Sequence, residues 1–114
     1  RMAITETAGS TTATIAEGDT VSGAVSLVGV TILGLITPAA LTGTALTFQV
    51  STSAGGTYVP LHDATGAAVS VTVAASRAYY LSPAIFAVWR AVKVVSGSAE
   101  AADRTITLLT GPVS

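Results

Sequence analysis

The sequence predicts an all-β fold, an antiparallel β-sandwich of about eight strands with a jelly-roll-like arrangement. Two observations support this prediction. Short runs rich in Val, Ile, Thr and aromatic residues alternate apolar and polar positions, which is the pattern of strands with one buried face. Clusters of Gly, Ser, Asp and Pro interrupt these runs about every 8–12 residues, and no segment keeps a helical period for long.

The clearest predicted hairpin surrounds residues 53–56. Leu46, Phe48 and Val50 face one side of its first strand, and polar residues face the other. The tetrapeptide Ser-Ala-Gly-Gly provides the backbone freedom of a tight connection, and Pro60 places the returning strand at a sheet edge. The same reasoning predicts strands at 21–27, 30–36, 46–51, 58–61, 69–73, 79–81, 88–96 and 104–110.

One short helical turn is predicted over residues 83–87. Ser82 is a favourable N-cap and Pro83 a favourable first helical residue, whereas the β-branched residues after position 87 favour a strand. A single turn is too short to bury much surface by itself. We therefore expect Ile85 and Phe86 to close one end of the sandwich.

The strand after this turn contains the only Trp of the chain. Alternation directs Val92 and Val94 into the core and places Trp89, Lys93 and Val95 on the outer face. An outward Trp with apolar neighbours is unfavourable unless it is covered. Trp89 is therefore expected at a subunit contact or beneath a loop.

The chain is expected to form a single sandwich domain over residues 13–114, preceded by an extended arm at residues 1–12. The arm is small, polar and without a period, so it is either disordered or ordered on a neighbouring subunit. The predicted interface residues are Trp89, Val95, Lys93, Tyr79, Tyr80 and Ile4.

The composition favours a protein that works in an assembly. Only 10% of the residues are charged, against about 25% in a typical soluble domain. Such a surface is either covered in an assembly, which its low charge favours, or kept soluble by an outer face rich in Thr and Ser. The net charge of −1 and the lack of a basic cluster argue against nucleic acid as a partner. The apolar stretch 21–40 contains Ser, Thr, Gly and Pro, so no membrane partner is expected.

No group of residues predicts chemistry. His62 is the only histidine, and its neighbour Asp63 would point to the opposite face of a strand. Glu17 and Asp19 are typical of a solvated turn, and the chain has no cysteine. Phosphate-binding, zinc-protease and nucleophile-elbow motifs are missing from the sequence. We expect no enzyme activity, no catalytic residue, no cofactor and no metal site.

Residues 12–110 nevertheless resemble a known family. The segments LTFQVSTSAGGTYVPLHDATGAAVSV, ASRAYYLSPAIFAVWRAVKVVSGS and ADRTITLL, in this order, are similar to small β-sandwich structural proteins of tailed-bacteriophage virions. TATIAEGDTVSGAVSLVGVTILGLITPAALTGTALTFQVS is similar to the N-terminal half of these proteins. The resemblance implies a virion component, such as a capsid decoration (cement) protein, without enzyme activity.

Three functions compete at this point. The resemblance favours a decoration protein on the capsid exterior, which would bind the major capsid protein or another virion protein as a homo-oligomer, with a trimer favoured. Repeated weak contacts on a symmetric lattice would supply its affinity. The second function is a tail or head-fibre module that stacks host glycans on Tyr79, Tyr80 and Trp89. The third is a ring-forming tail or head–tail joining protein.

Overall fold

The computed structural model describes residues 9–112 and has nine strands and one 3-10 turn in this part of the chain. The turn is Pro83–Ile85. The strands are β1 (Gly9–Ile15), β2 (Val25–Ser26), β3 (Val30–Ile36), β4 (Ala45–Ser51), β5 (Val59–Pro60), β6 (Ser70–Thr72), β7 (Ala78–Tyr80), β8 (Ala91–Ser96) and β9 (Arg104–Pro112). They form two antiparallel sheets, so the predicted all-β sandwich is confirmed.

The strand order is that of a jelly roll. The first sheet has the order β1-β9-β3-β7. The second has the order β2-β8-β4, and β5 and β6 pair with successive parts of the free edge of β4. When β5 and β6 are taken as one interrupted strand, the first strand pairs with the last, the second with the next to last, and so inward. This is the wrapping that defines a jelly roll.

The core lies between the two sheets and follows the predicted alternation. Leu46, Phe48 and Val50 of β4 and Val92 and Val94 of β8 are buried. They face buried residues of the first sheet: Ala13, Ile15, Ile32, Leu35, Ile106 and Leu108. The faces of β4 and β8 were therefore predicted correctly.

The predicted plug at one end of the sandwich is also present. Phe86 is fully buried, and its ring meets that of Phe48 edge-to-face, with centroids 5.0 Å apart. Such geometry suits the opposite charges of ring edge and ring face. Ile85 is only partly buried beside it. The Thr31 hydroxyl donates a hydrogen bond of 2.9 Å to the Pro83 carbonyl and ties the turn to β3.

The strand predicted at 21–27 is wrong in its extent, because only Val25 and Ser26 form a strand there. Ser22 provides the hydrogen bonds that a longer strand would have made with β8. Its N–H donates to the Val94 carbonyl at 2.8 Å, and its hydroxyl accepts from the Val94 N–H at 2.9 Å. A serine side chain thus completes the edge of β8, and Val21 adds an isolated bridge to Val95.

Three further boundaries differ from the predicted ones. The strand predicted from residue 88 begins at Ala91, because residues 86–88 continue as a turn in which the Trp89 N–H bonds the Phe86 carbonyl. The helical turn ends at Ile85. Residues 9–12, predicted in the arm, belong to β1 and pair with β9. The rest of the predicted arm lies outside the described residues.

A β-bulge in β3 was not predicted. The register with β9 shifts between Ile32 and Gly34, so Leu33 is the extra residue. The bulge reverses the side-chain alternation, which buries both Ile32 and Leu35 although they are three residues apart. Gly34 then allows the backbone of β7 to approach, since a Cβ there would lie 2.8 Å from the Tyr79 carbonyl oxygen.

Candidate functional site

The predicted interface residues do not form one surface. Tyr80 lies on the outer face of the first sheet, and Lys93 and Val95 on the outer face of the second. Trp89 lies at one end of the sandwich. Tyr79 points inward against the core, and Ile4 falls outside the described residues.

Trp89 is placed differently from the predicted outer face. It precedes β8 and packs, partly buried, against the core. Its side chain separates two shallow pockets of about 320 and 360 Å³. The first is lined by Leu61, Val69, Ile85 and Val88, among others, and the second by Leu27, Val28 and Ala87, among others.

We call residues 27–29 and 84–89 the apolar end of the sandwich. Val28 and Val88 are 67% and 75% exposed there, on either side of Trp89. The two valines and the two pockets show that this end is open to solvent. Trp89 is therefore covered neither by its own core alone nor by a closed loop.

The outer face of the second sheet is mixed in character. Val95 and Lys93 lie beside Thr47 and Gln49 of β4, so their predicted outward direction is confirmed. The Lys93 ammonium group lies 4.5 Å from the centre of the Tyr58 ring, in a cation–π contact. Lys93 therefore packs on Tyr58, not along Trp89 as its predicted position beside that residue implied.

The outer face of the first sheet carries no charge. Across its four strands, one row of neighbours is Ser10, Leu109, Gly34 and Tyr80. The next row is Thr12, Thr107, Ile36 and Ala78. Arg104 is the one charged residue in these strands, and its side chain binds Glu100. We call this surface the neutral face.

The neutral face exposes large apolar side chains among its hydroxyl groups. Tyr80 is 83% exposed, Ile36 40% and Leu109 37%. Exposed apolar residues are common singly, but here they share one face of a sheet without a charge to keep it hydrated. Depletion of charge and enrichment in Tyr are features of the centres of protein interfaces.

The three aromatics expected to stack a glycan are separated. Tyr79 and Tyr80 are consecutive in β7 and therefore point to opposite faces of the sheet. Tyr79 packs on the core, and its hydroxyl accepts a hydrogen bond of 2.8 Å from the Ala74 N–H. Trp89 belongs to the apolar end. No platform of these three rings is formed.

The opposite end of the sandwich is built around Glu100, which is 1% exposed. One carboxylate oxygen accepts from the Thr42 N–H at 2.8 Å and from Arg104 Nε at 3.0 Å. The other accepts from the Gly43 N–H at 2.9 Å and from the Ser96 hydroxyl at 2.7 Å. The carboxylate is thus saturated with donors, which is the condition for burying a charge.

Glu100 also binds a third segment through its backbone. Its N–H donates to the Asp19 carbonyl at 3.0 Å, and its carbonyl accepts from the Gly18 N–H at 2.8 Å. Residues 16–24, 37–44 and 97–103 are thereby joined, and we call this the polar end. Gly43 fits here because a Cβ at that position would collide with the Ser96 hydroxyl.

The pKa of Glu100 reflects this environment. Burial disfavours the charged carboxylate and by itself raises the pKa. Hydrogen bonds from Ser96, from the backbone of Thr42 and Gly43 and from Arg104 outweigh burial and lower the pKa to about 2. Glu100 is therefore a permanently charged structural group near neutral pH and not a proton donor.

Sequence reasoning missed the role of Glu100. The available signal was the spacing of Ser96, Glu100 and Arg104, four residues apart, in a chain with few charges. The Thr42 and Gly43 donors lie more than fifty residues away in sequence, at separations of 58 and 57, and have no local signature.

Asp63 and Asp103 accept hydrogen bonds from loop backbone. Asp63 accepts from the Thr65 hydroxyl, from the Thr65 N–H and from the Ala67 N–H, and these bonds lower its pKa. Asp103 accepts from the Glu17 N–H at 2.8 Å. His62 is exposed and contacts the Pro60 carbonyl. Within residues 9–112, no three metal-ligating side chains come together. In the same part of the chain, no helix is long and apolar enough to span a membrane.

Comparison of the chain with protein-family models, with curated proteins and with solved structures found no match.

Proposed function

We propose that this protein is a non-enzymatic structural component of a tailed-phage virion, a decoration protein that binds the exterior of the head as a homo-oligomer. The observation that carries this proposal is the neutral face. It spans four strands, has no charge, and exposes Tyr80, Ile36 and Leu109 among threonines. The resemblance of residues 12–110 to phage structural proteins supports the same role.

The neutral face suits a partner that presents a repeated, flat surface. Each contact there is weak, since threonine hydroxyls and a few exposed apolar side chains provide no fixed charge. On a symmetric shell, however, many copies bind at once, and avidity multiplies a weak single contact. The jelly-roll architecture adds an argument by analogy, because it recurs in viral capsid domains.

The glycan-binding alternative has lost its main support. Jelly rolls also occur in lectins, but Tyr79, Tyr80 and Trp89 lie on separate surfaces and cannot stack one sugar chain together. A tail or head–tail joining protein would use similar flat surfaces. It differs from a decoration protein in its place in the particle, which is a question for imaging.

Binding to phage heads tests the proposal directly. Expanded heads that lack the chain are mixed with purified protein and sedimented, and the bound fraction is measured. Wild type is expected to cosediment and to saturate. Tyr80→Lys places a charge on the neutral face and is expected to weaken binding at least about tenfold, because a buried unpaired ammonium group costs several kcal/mol.

The matched control is Ser70→Lys, which adds the same charge on the outer face of the second sheet. This variant is expected to bind heads like wild type. If wild type fails to sediment with heads, the decoration role is refuted. If Ser70→Lys blocks binding while Tyr80→Lys does not, the contact lies on the second sheet and the neutral face has no part in it.

A further inference from the structure

The four sheet edges of the sandwich are not equally protected. Exposed edge strands invite pairing with other chains, and proteins counter this with short strands, proline or charge. β7 has three residues and β2 has two. The remaining edge is shared by β5, which ends in Pro60, and β6, which has three residues. Each of these edges offers little to a partner strand.

β1 is the exception. It is seven residues long, with the sequence GSTTATI, and contains no proline and no charge. It lies at the edge of the first sheet and pairs with β9 in one unbroken register. A straight, regular, uncharged edge of this length is the feature that protective devices normally remove.

The outward backbone groups of β1 can be assigned from one hydrogen bond. The Thr14 carbonyl accepts from the Gly23 N–H at 3.4 Å, outside the sheet. Successive residues of a strand direct their N–H and C=O groups to alternate edges. Ser10 and Thr12 therefore also point away from β9. No backbone group within residues 9–112 pairs with them there.

We propose that β1 pairs antiparallel with β1 of a second copy of this chain and joins the two first sheets into one continuous sheet. Ser10 of one copy would lie opposite the partner's Thr12, and Thr12 opposite the partner's Ser10. In that register the outward N–H groups of Ser10 and Thr12 donate to the outward carbonyls of Thr12 and Ser10 of the other copy. The Thr14 carbonyl, already bound by Gly23, stays outside the contact.

Charge and symmetry favour a second copy over an unrelated partner. A two-fold axis brings each edge against itself, so any charged residue in β1 would meet its own copy and repel it. The absence of charge from all seven positions removes this penalty. The joined sheets would also present two neutral faces side by side, as a multivalent contact requires.

This pairing specifies how the homo-oligomer of the proposed function assembles. It rests on the existence of that oligomer and not on binding to heads. Two-fold pairing builds assemblies of even copy number, in contrast to the trimer expected from the sequence. A single pair of edge strands is small compared with the ~1,200 Å² or more buried in stable complexes. Dimerisation in solution is therefore expected to be weak and to gain from avidity on a lattice.

Sedimentation velocity of the full chain, without heads, tests the pairing from micromolar to millimolar concentration. Wild type is expected to shift from monomer to dimer. Thr12→Pro removes an outward N–H that the monomer does not use, and it is expected to weaken dimerisation at least about tenfold. The melting temperature of the monomer should stay within a few degrees of wild type. Thr12→Val keeps the N–H and is expected to dimerise like wild type.

Two further measurements exclude other arrangements. Tyr80→Lys, at the far edge of the neutral face, should leave dimerisation unchanged. If it abolishes dimers while Thr12→Pro does not, two copies meet through their faces and the inference is wrong. Hydrogen exchange of the Ser10 and Thr12 amides should slow as concentration rises. Full protection at every concentration would mean that the same chain covers this edge, which also refutes the pairing. A monomer that still binds heads would refute the pairing and leave the decoration role intact.

Discussion

The polar end and the apolar end of this sandwich use opposite means to close a jelly roll. At the polar end, three loops meet at one buried residue, Glu100, and each of the four donors to its carboxylate lies within 3.0 Å. At the apolar end, Phe86 fills the core, and beyond it Trp89, Val28 and Val88 remain in contact with solvent. The polar end satisfies its buried carboxylate with donors from the same chain, whereas the apolar end leaves apolar side chains exposed to solvent.

Few charged residues lie in the strands of either sheet. The strands of the first sheet carry one charged residue, Arg104, and those of the second carry Lys93. Arg104 is used inside the fold, on Glu100. Directional bonds to a buried charge hold loops in one arrangement, whereas apolar contacts tolerate several. The polar end therefore fixes the fold, and the faces and the apolar end remain available for contacts with other molecules.

The largest effect is expected at Glu100. Glu100→Gln removes the charge that Arg104 neutralises and turns an N–H₂ group toward one set of donors, so at least one buried N–H or hydroxyl loses its acceptor. Denaturant unfolding should show a loss of about 3 kcal/mol. Glu17→Gln is the matched control, since Glu17 is exposed, and it should change stability by less than about 0.5 kcal/mol. Equal effects of the two substitutions would show that the buried carboxylate does not hold the loops.

Acid is expected to lower the stability of the fold by protonating Glu100 at the polar end. The pKa of Glu100 is lowered from 4.5 in the unfolded chain to about 2 in the folded one. Such a group stabilises the fold above the unfolded pKa, and this stabilisation is lost as pH falls through the folded pKa. The free energy of unfolding should thus decrease between about pH 5 and pH 2, by up to about 3 kcal/mol. Glu100→Gln should remove most of this decrease, and a variant that keeps the full decrease would locate it elsewhere.

At the apolar end, substitutions of two neighbouring residues should show different losses of stability, because one side chain is packed and the other is exposed. Trp89→Ala removes a ring that packs partly on the core and should lower the free energy of unfolding by about 2 kcal/mol. Val88→Ala changes a side chain that is 75% exposed and should lower it by less than about 0.5 kcal/mol. Thermal unfolding of both variants checks the pair. A large loss at Val88 would mean that the apolar end is closed in solution.

The sequence predicted those parts of the fold that depend on local pattern. The alternation in β4 and β8, the hairpin after Val50 and the edge position of Pro60 all follow from residues close together in the chain. The resulting core faces are correct because burial of alternate side chains determines them directly.

The features that were missed depend on distant partners. The predicted strand extended the alternation of β8 back to Trp89. The turn before Ala91 interrupts this alternation, and the Trp89 ring packs against the core. The bulge at Leu33 follows from the fit between β3 and β9. Glu100 acquires its role from Thr42 and Gly43, and Ser22 from Val94. Long-range pairing of this kind has no signature in a local window.

Locating the chain within the virus particle tests its proposed function most directly. Cryo-electron microscopy of the virions that contain the chain, with an antibody against it as a marker, gives this location in one measurement. For a decoration protein we expect repeated density and label over the outside of the head, with the neutral face of each sandwich turned toward the shell. Label confined to the tail or neck, or intact virions without label, would contradict it.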